Sequence, residues 1–322
     1  MKRRHLMVAA ALLACGPFAL AADPYPVRPI KIIAPQPPGG AVDMMARTVA
    51  EALQKTFGQA VVVENKSGAG GLIGVSAAAK SPADGYTLVI GSTGPFSVSA
   101  SLLQRVPFDP VKDFVPIARL AQMPSYLVVN ANVPVSTVTE FLALVRSKPG
   151  RFTYASTGNG LSQHTNMELL KSIANLSILP VTYRGSAPAI SDLLGHQVDM
   201  MIELGPQVIP HIRAGKLKVL ATTSATRTEL LPKVPTLAES GVPGFEAYTW
   251  FALYAPAGTP QAIVSKVHEA LTKEFDGPEI RTRLSAIGAE VALNSPTELA
   301  AFQAAETKKW AAVIRQAGIK PE

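Results

Sequence analysis

Apolar and polar positions along the chain alternate between two rhythms. Ile30-Lys31-Ile32-Ile33 is a short β-branched run and predicts a strand. From residue 41 to 57 the apolar positions Val42, Ala46, Val49, Leu53 and Phe57 fall on one helical face, and Gly58 predicts the stop. Ala60–Glu64 reads as a strand, Gly71–Lys80 as a helix and Tyr86–Ile90 as a strand. Such a β-α-β-α-β order requires a parallel sheet covered on both faces.

A second series opens with a strand at Tyr126–Val129 and a helix at Thr137–Arg146, whose start carries a capping box of Thr137 and Glu140. Strands follow at Phe152–Tyr154, Leu179–Thr182, Val198–Ile202 and Leu217–Ala221, with helices at Ser162–Ala174 and Ser186–Leu194. The proline-rich piece Leu231–Phe245 breaks the rhythm and reads as a crossover. Beyond it come a strand at Thr249–Ala255, a helix opened by Pro260, and a last helix from Ser295-Pro296-Thr297-Glu298, again with a capping box. The expected organisation is α/β: 23–123 as the first part of lobe 1, 124–230 as lobe 2, and 231–322 as a crossover returning to lobe 1. Two inter-lobe crossings then leave a cleft at the strands' carboxyl ends, where open α/β sheets bind ligands.

The N-terminus adds a compartment. Lys2, Arg3 and Arg4 precede an uncharged run from Leu6 to Ala22 that ends in Ala19-Leu20-Ala21, so residues 1–22 read as a signal peptide cleaved near Ala21 or Ala22, and the expected location is the periplasm. Leu12-Leu13-Ala14-Cys15 approximates a lipoprotein site, but the apolar Gly16–Leu20 after it makes a poor exposed tether. Cys15 is the single cysteine, so a chain cleaved at Ala21 or Ala22 has no disulfide or thiolate metal site and depends on a large core. The formal charge of +7 loses three when Lys2, Arg3 and Arg4 leave, and 27 basic against 23 acidic residues make +4. No basic run of five occurs, so nucleic acid is not an expected partner, while a mild positive field favours small anions.

Enzyme motifs are missing from the sequence. There is no Gly-x-Ser-x-Gly elbow and no His-Glu-x-x-His helix. His164 and Glu168 are four apart on one helix, but two ligands do not make a metal site, and His164 reads better as a hydrogen-bonding residue at a helix start. Gly68-Ala69-Gly70-Gly71-Leu72-Ile73-Gly74 mimics a dinucleotide fingerprint. The next strand, however, ends in Gly91-Ser92-Thr93 without the ribose-binding acid, so a tight turn with close helix packing is the better reading. No cofactor and no metal are expected.

What remains is a set of backbone-rich loops where strands end. Pro38-Gly39-Gly40 leads into a helix whose N-terminal N–H groups suit a carboxylate. Ser92 and Thr93 follow another strand; Ser156-Thr157-Gly158-Asn159-Gly160 and Arg184-Gly185-Ser186 hold the corresponding places in the second unit. Each alone is a turn or cap; together, in two lobes, they favour a small-anion site. Asp43, in the first helical turn, either lines that site or caps the helix. Arg184 either pairs with a second carboxylate or lies on the surface, and Glu203, just past a strand, either meets an amine or hydroxyl or caps the next helix.

At these same loops the chain resembles the Bug (Bordetella uptake) family, the periplasmic substrate-binding components of tripartite tricarboxylate transporters. The matching pieces run in order from Tyr25-Pro26 through Pro38-Gly39-Gly40, Pro82-Ala83-Asp84-Gly85-Tyr86, Tyr183-Arg184-Gly185-Ser186 and Asp192-Leu193-Leu194-Gly195 to Pro256-Ala257-Gly258-Thr259-Pro260. The resemblance implies a two-lobed Venus flytrap, type II-like, with a mainly parallel sheet flanked by helices in each lobe. It implies reversible capture of a small mono- or dicarboxylate by a monomer that delivers it to membrane permease subunits, without catalysis. It also implies ligand-binding roles for Pro38, Gly39, Gly40, Ala41, Ser92 and Thr93 in one lobe and Ser156, Thr157, Gly158, His164, Arg184, Gly185 and Ser186 in the other. Gln36 stands where the family commonly has an apolar or aromatic residue, and Leu161 where it has a small hydroxyl residue, which marks Gln36 as a candidate selector. A ligand sensor for a signalling partner would use the same fold; a secreted enzyme is the remaining alternative.

Overall fold

A computed structural model of the chain describes residues 25–316, 318 and 319. The signal-peptide reading, with Cys15, Ala21 and Ala22, lies outside the described residues. In the first lobe β1 (Ile30–Ala34), α1 (Ala41–Phe57), β2 (Val61–Asn65), α2 (Leu72–Ala79) and β3 (Thr87–Ser92) alternate; a π-helical turn at Gly94–Val98 then leads into a short helix, α3 (Ser99–Leu102), and Val98 and Leu102 are buried with second-lobe residues. β2 and β3 pair in parallel with β1 on either side. α1 forms because its buried stripe (Val42, Met45, Ala46, Val49 and Leu53) recurs at helical spacing. It ends because Gly58 adopts φ 67 and donates its N–H back to Gln54. Each large apolar side chain in that stripe contributes roughly 1.5–3 kcal/mol by leaving water.

A single strand then runs through both lobes. β4 (Phe114–Asn130) is 17 residues long. Its first part, to Pro124, pairs antiparallel with β9 (Tyr248–Pro256); from Ser125 on it pairs antiparallel with β7 (Met200–Leu204) and β8 (Leu217–Thr222). Pro124 has no N–H to give a ladder and sits at the handover, while Pro116 flanks a register slip. The second lobe adds α4 (Val138–Ser147), β5 (Phe152–Ser156), α5 (Ser162–Ala174), β6 (Ile178–Thr182), α6 (Ser186–Leu194) and α7 (Gly205–Arg213). The capping box at Thr137 forms, with Glu140 N–H donating to the Thr137 hydroxyl at 3.2 Å. The parallel strands β2-β1-β3 and β6-β5-β7 are thus joined through antiparallel β9 and β4 into one continuous path.

The return differs from the expected boundary at 231. Leu237, Val242, Phe245 and Ala247 are buried in the second lobe's core, so the piece read as a crossover is folded onto that lobe, and the crossing itself falls where β9 begins. α8 (Gln261–Phe275), α9 (Pro278–Ala286) and β10 (Glu290–Val291) complete the first lobe. The final helix, α10 (Pro296–Gln316), adds a third crossing. Its Leu299 packs with Trp250 in a first-lobe cluster, whereas Trp310, Val313 and Ile314 are buried with second-lobe residues. Gln303 fixes the near end, accepting from the Tyr254 hydroxyl at 2.9 Å and donating to the Phe96 and Pro110 carbonyls.

Candidate functional site

The first strand-end loop is built on backbone. After β1 the chain turns through Pro35–Gly40; Gly39 takes φ 81, open to glycine without strain, and Gly40 begins α1 with no side-chain cap. The first N–H groups of α1 have no intrahelical acceptor and carry the helix's positive end. Pro38 and Gly39 are exposed, and Gly40 and Ala41 half-buried.

Asp43 is engaged by this loop. The Gly39 N–H donates to it at 3.0 Å, Asn65 Nδ2 at 2.8 Å, and the Arg47 guanidinium pairs with both its oxygens. Burial alone would raise its carboxyl; the Arg47, Gly39 and Asn65 hydrogen bonds outweigh that and hold it below the ordinary range. Asp43 thus braces the Gly39 N–H ahead of the helix and leaves the first N–H groups of α1 without a side-chain cap.

Gln36 reaches sideways: its Nε2 donates to the Gly70 carbonyl at 3.1 Å, and its own carbonyl accepts from Asn65 Nδ2 at 3.1 Å. It therefore ties the first loop to the glycine-rich turn after β2. That turn is tight, with φ 132 at Gly68 and 100 at Gly71, and a β-carbon on Gly74 would collide with the Lys66 carbonyl and Pro35. Close packing accounts for these glycines. After β3, Ser92 is buried opposite Phe251, and the Thr93 hydroxyl accepts from the Trp250 N–H at 3.1 Å, facing the return strand.

In the second lobe β5 ends at Ser156, fully buried, with its hydroxyl 3.3 Å from Gly158 N and O. Thr157 follows, its hydroxyl buried and without a hydrogen-bond partner among the described residues. Tyr183 N–H donates to the Ser156 carbonyl at 2.8 Å, fastening this loop to the Arg184-Gly185-Ser186 loop that opens α6. His164 is buried in the first turn of α5 and accepts the Gly160 N–H at 3.4 Å, as a helix-start residue. Arg184 is exposed, and Gly185 opens onto free space with φ 110.

Glu203 lies at the end of β7, fully buried. Its Oε1 accepts from Gln163 Nε2 at 2.7 Å and from the Leu204 N–H at 2.8 Å, and its Oε2 has no hydrogen-bond partner among the described residues. Burial pushes its carboxyl up, opposed by the nearby Ser186 hydroxyl, the Leu204 N–H and Gln163. Sequence reasoning missed Gln163, which pairs with a residue forty positions away, and Asn65, whose amide holds both Asp43 and Gln36. Gln163 follows a glycine-rich loop in a first helical turn, and that position is the signal that could have found it.

The loops of the two lobes meet. A β-carbon on Gly94 would stand 3.0 Å from the Gly160 carbonyl, and one on Gly70 would stand 3.9 Å from the Asn159 carbonyl. One on Gly71 would touch Pro35, Gln36 and Pro95 together. The loops after β1, β2, β3 and β5 therefore form one contiguous surface between the lobes. Among the described residues no group of His, Cys, Asp and Glu is placed to hold a metal, and no helix is long and apolar enough to cross a membrane.

Comparison with known proteins agrees with this architecture. The family described as tripartite tricarboxylate transporter family receptor matches residues 45–319. BugT of Bordetella pertussis is 39% identical over 302 residues, covering 94% of this chain and 93% of BugT. A Rhodopseudomonas palustris protein solved with adipate superposes with a TM-score of 0.88 at 35% identity, covering 92% of this chain and all of the other. MatC of the same organism, solved with bound malate, gives 0.82 at 33% identity, covering 90% of this chain and 100% of that one.

Proposed function

Since this chain belongs to the tripartite tricarboxylate transporter receptor family, we propose that it is a periplasmic receptor that captures a small carboxylate between its lobes and hands it to that transporter's membrane permease subunits. It performs no chemistry on the ligand. The observation that carries this reading is the contiguous inter-lobe surface of strand-end loops, in which uncapped helix starts at Gly40, Leu161 and Gly185 offer N–H donors. Relatives solved with adipate and with malate support a carboxylate as the ligand class.

In this reading the Pro38–Ala41 loop supplies one jaw and the Thr157–Gly158 and Gly185–Ser186 loops the other. The ligand stabilises the closed arrangement because it touches both jaws only there. A thermal-shift screen of mono- and dicarboxylates, sugars and amines tests it. A carboxylate at about 100 times its Kd should add roughly 2.7 kcal/mol of stability. Stabilisation by sugars or amines and by no carboxylate would sink the proposal.

A further inference from the structure

Three helices of the second lobe start around one carboxyl group. Gln163 lies in the first turn of α5, Ser186 is the first residue of α6, and Leu204 caps α7; all three stand against Glu203. The side chain is fully buried, and no cation pairs with it among the described residues. Two donors saturate Oε1. Oε2 is left buried without a hydrogen bond of normal geometry among the described residues, the Ser186 hydroxyl being the remaining donor beside the carboxyl, and an unmade hydrogen bond on a buried carboxyl oxygen is expensive. The two loops that open α5 and α6 are the second jaw, so this unsatisfied oxygen sits at the jaw's root.

We propose that Glu203 is the specificity-determining residue of this receptor: it occupies the second lobe's own anion position and selects a carboxylate that also carries a hydrogen-bond donor, an ammonium or hydroxyl group, for Oε2. The inference rests on the carboxylate reading above and sharpens it. The ligand's carboxylate goes to the uncapped start of α1, where Asp43 is already neutralised by Arg47, and its donor group goes to Glu203. A second carboxylate aimed at Glu203 would find no cation beside it, because Arg184, which could have welcomed it, is exposed.

The test uses the whole mature protein and calorimetric titration with three matched series: propionate, lactate and alanine; succinate, malate and aspartate; glutarate, 2-hydroxyglutarate and glutamate. Within any series that binds, the acids bearing a donor should bind about tenfold or more tightly than the unsubstituted acid. Glu203→Gln should shrink that gap to about twofold, with a ligand-free melting temperature close to the parent's. An unsubstituted acid that matches its substituted partners overturns the inference and leaves the carboxylate reading standing. A uniform loss across a series in Glu203→Gln, with the gap intact, also overturns it and makes the carboxyl a structural cap completed by water. No binding by any of the nine acids overturns both readings. Where the variant folds poorly, the wild-type comparison can still overturn the inference.

Discussion

Gly94 of one lobe and Gly160 of the other approach so closely that a β-carbon on Gly94 would lie 3.0 Å from the Gly160 carbonyl oxygen and 3.2 Å from Leu161 Cδ2. Both neighbours belong to the second lobe, and Val98 and Leu102 just beyond Gly94 are buried in that lobe's core cluster, so the added atoms press on the seam between the lobes. Gly94→Val should therefore lower ligand affinity about tenfold or more and cost about 1–3 kcal/mol of unfolding stability in the absence of ligand. Solution scattering with saturating ligand would check it: a variant that compacts as fully as the parent contradicts the prediction.

Gly40 offers the opposite geometry. A β-carbon there finds its nearest neighbour, the Pro37 carbonyl, at 3.6 Å, an ordinary contact. Gly40→Val should leave the fold intact and weaken carboxylate binding, because the side chain covers the start of α1. Equal losses of stability and affinity, measured by urea unfolding and titration, would make the loop purely structural.

Asp43→Ala removes the acceptor for Gly39, Asn65 and Arg47 at once, and should cost about 1–3 kcal/mol at neutral pH. Hydrogen bonds hold the Asp43 carboxyl below its ordinary value against burial, so its contribution is complete above the unfolded value near 3.8 and is lost as pH falls through the folded one. The parent and Asp43→Ala should converge in stability as the pH drops below about 4. Denaturant melts at pH 7, 4 and 3 follow the difference directly.

Trp310 is fully buried where α10 ends on the second lobe, and its ring N–H donates to Glu306 at 3.0 Å. Trp310→Ala should destabilise the protein by about 3–5 kcal/mol. A loss below about 1 kcal/mol in urea unfolding would mean that the helix end contributes little to the second lobe.

Much of this molecule can be read locally. The helix at 41–57, its Gly58 stop, both capping boxes and the strand-end loops are set by neighbours within a few residues, where periodicity and turn chemistry act. The parts that escaped depend on distant partners or on prolines that mask a pattern. Pro116 and Pro124 hide the length of β4, which is held by four different strands along its course. Pro206 and Pro210 obscure α7, although one sits where a helix tolerates proline. Nothing local predicts that α10 changes lobes, because its buried stripe continues unbroken while the core beneath it changes. In the site, spacing marked Asp43 and Glu203, but only the fold distinguishes a carboxylate with three satisfied donors from one with an empty oxygen.

The strand shared by both sheets has a thermodynamic meaning as well as a structural one. Cutting the chain at Pro124 would leave each part of β4 with its own ladder partners, β9 and β10 in one lobe and β7 and β8 in the other, but α10 would be stranded across the gap. Because α10 buries Leu299 in one lobe's core and Trp310, Val313 and Ile314 in the other's, neither lobe keeps its full core when the other melts, so heat or urea should unfold the protein in a single cooperative step. Two lobes that flank a binding surface would then melt as one unit.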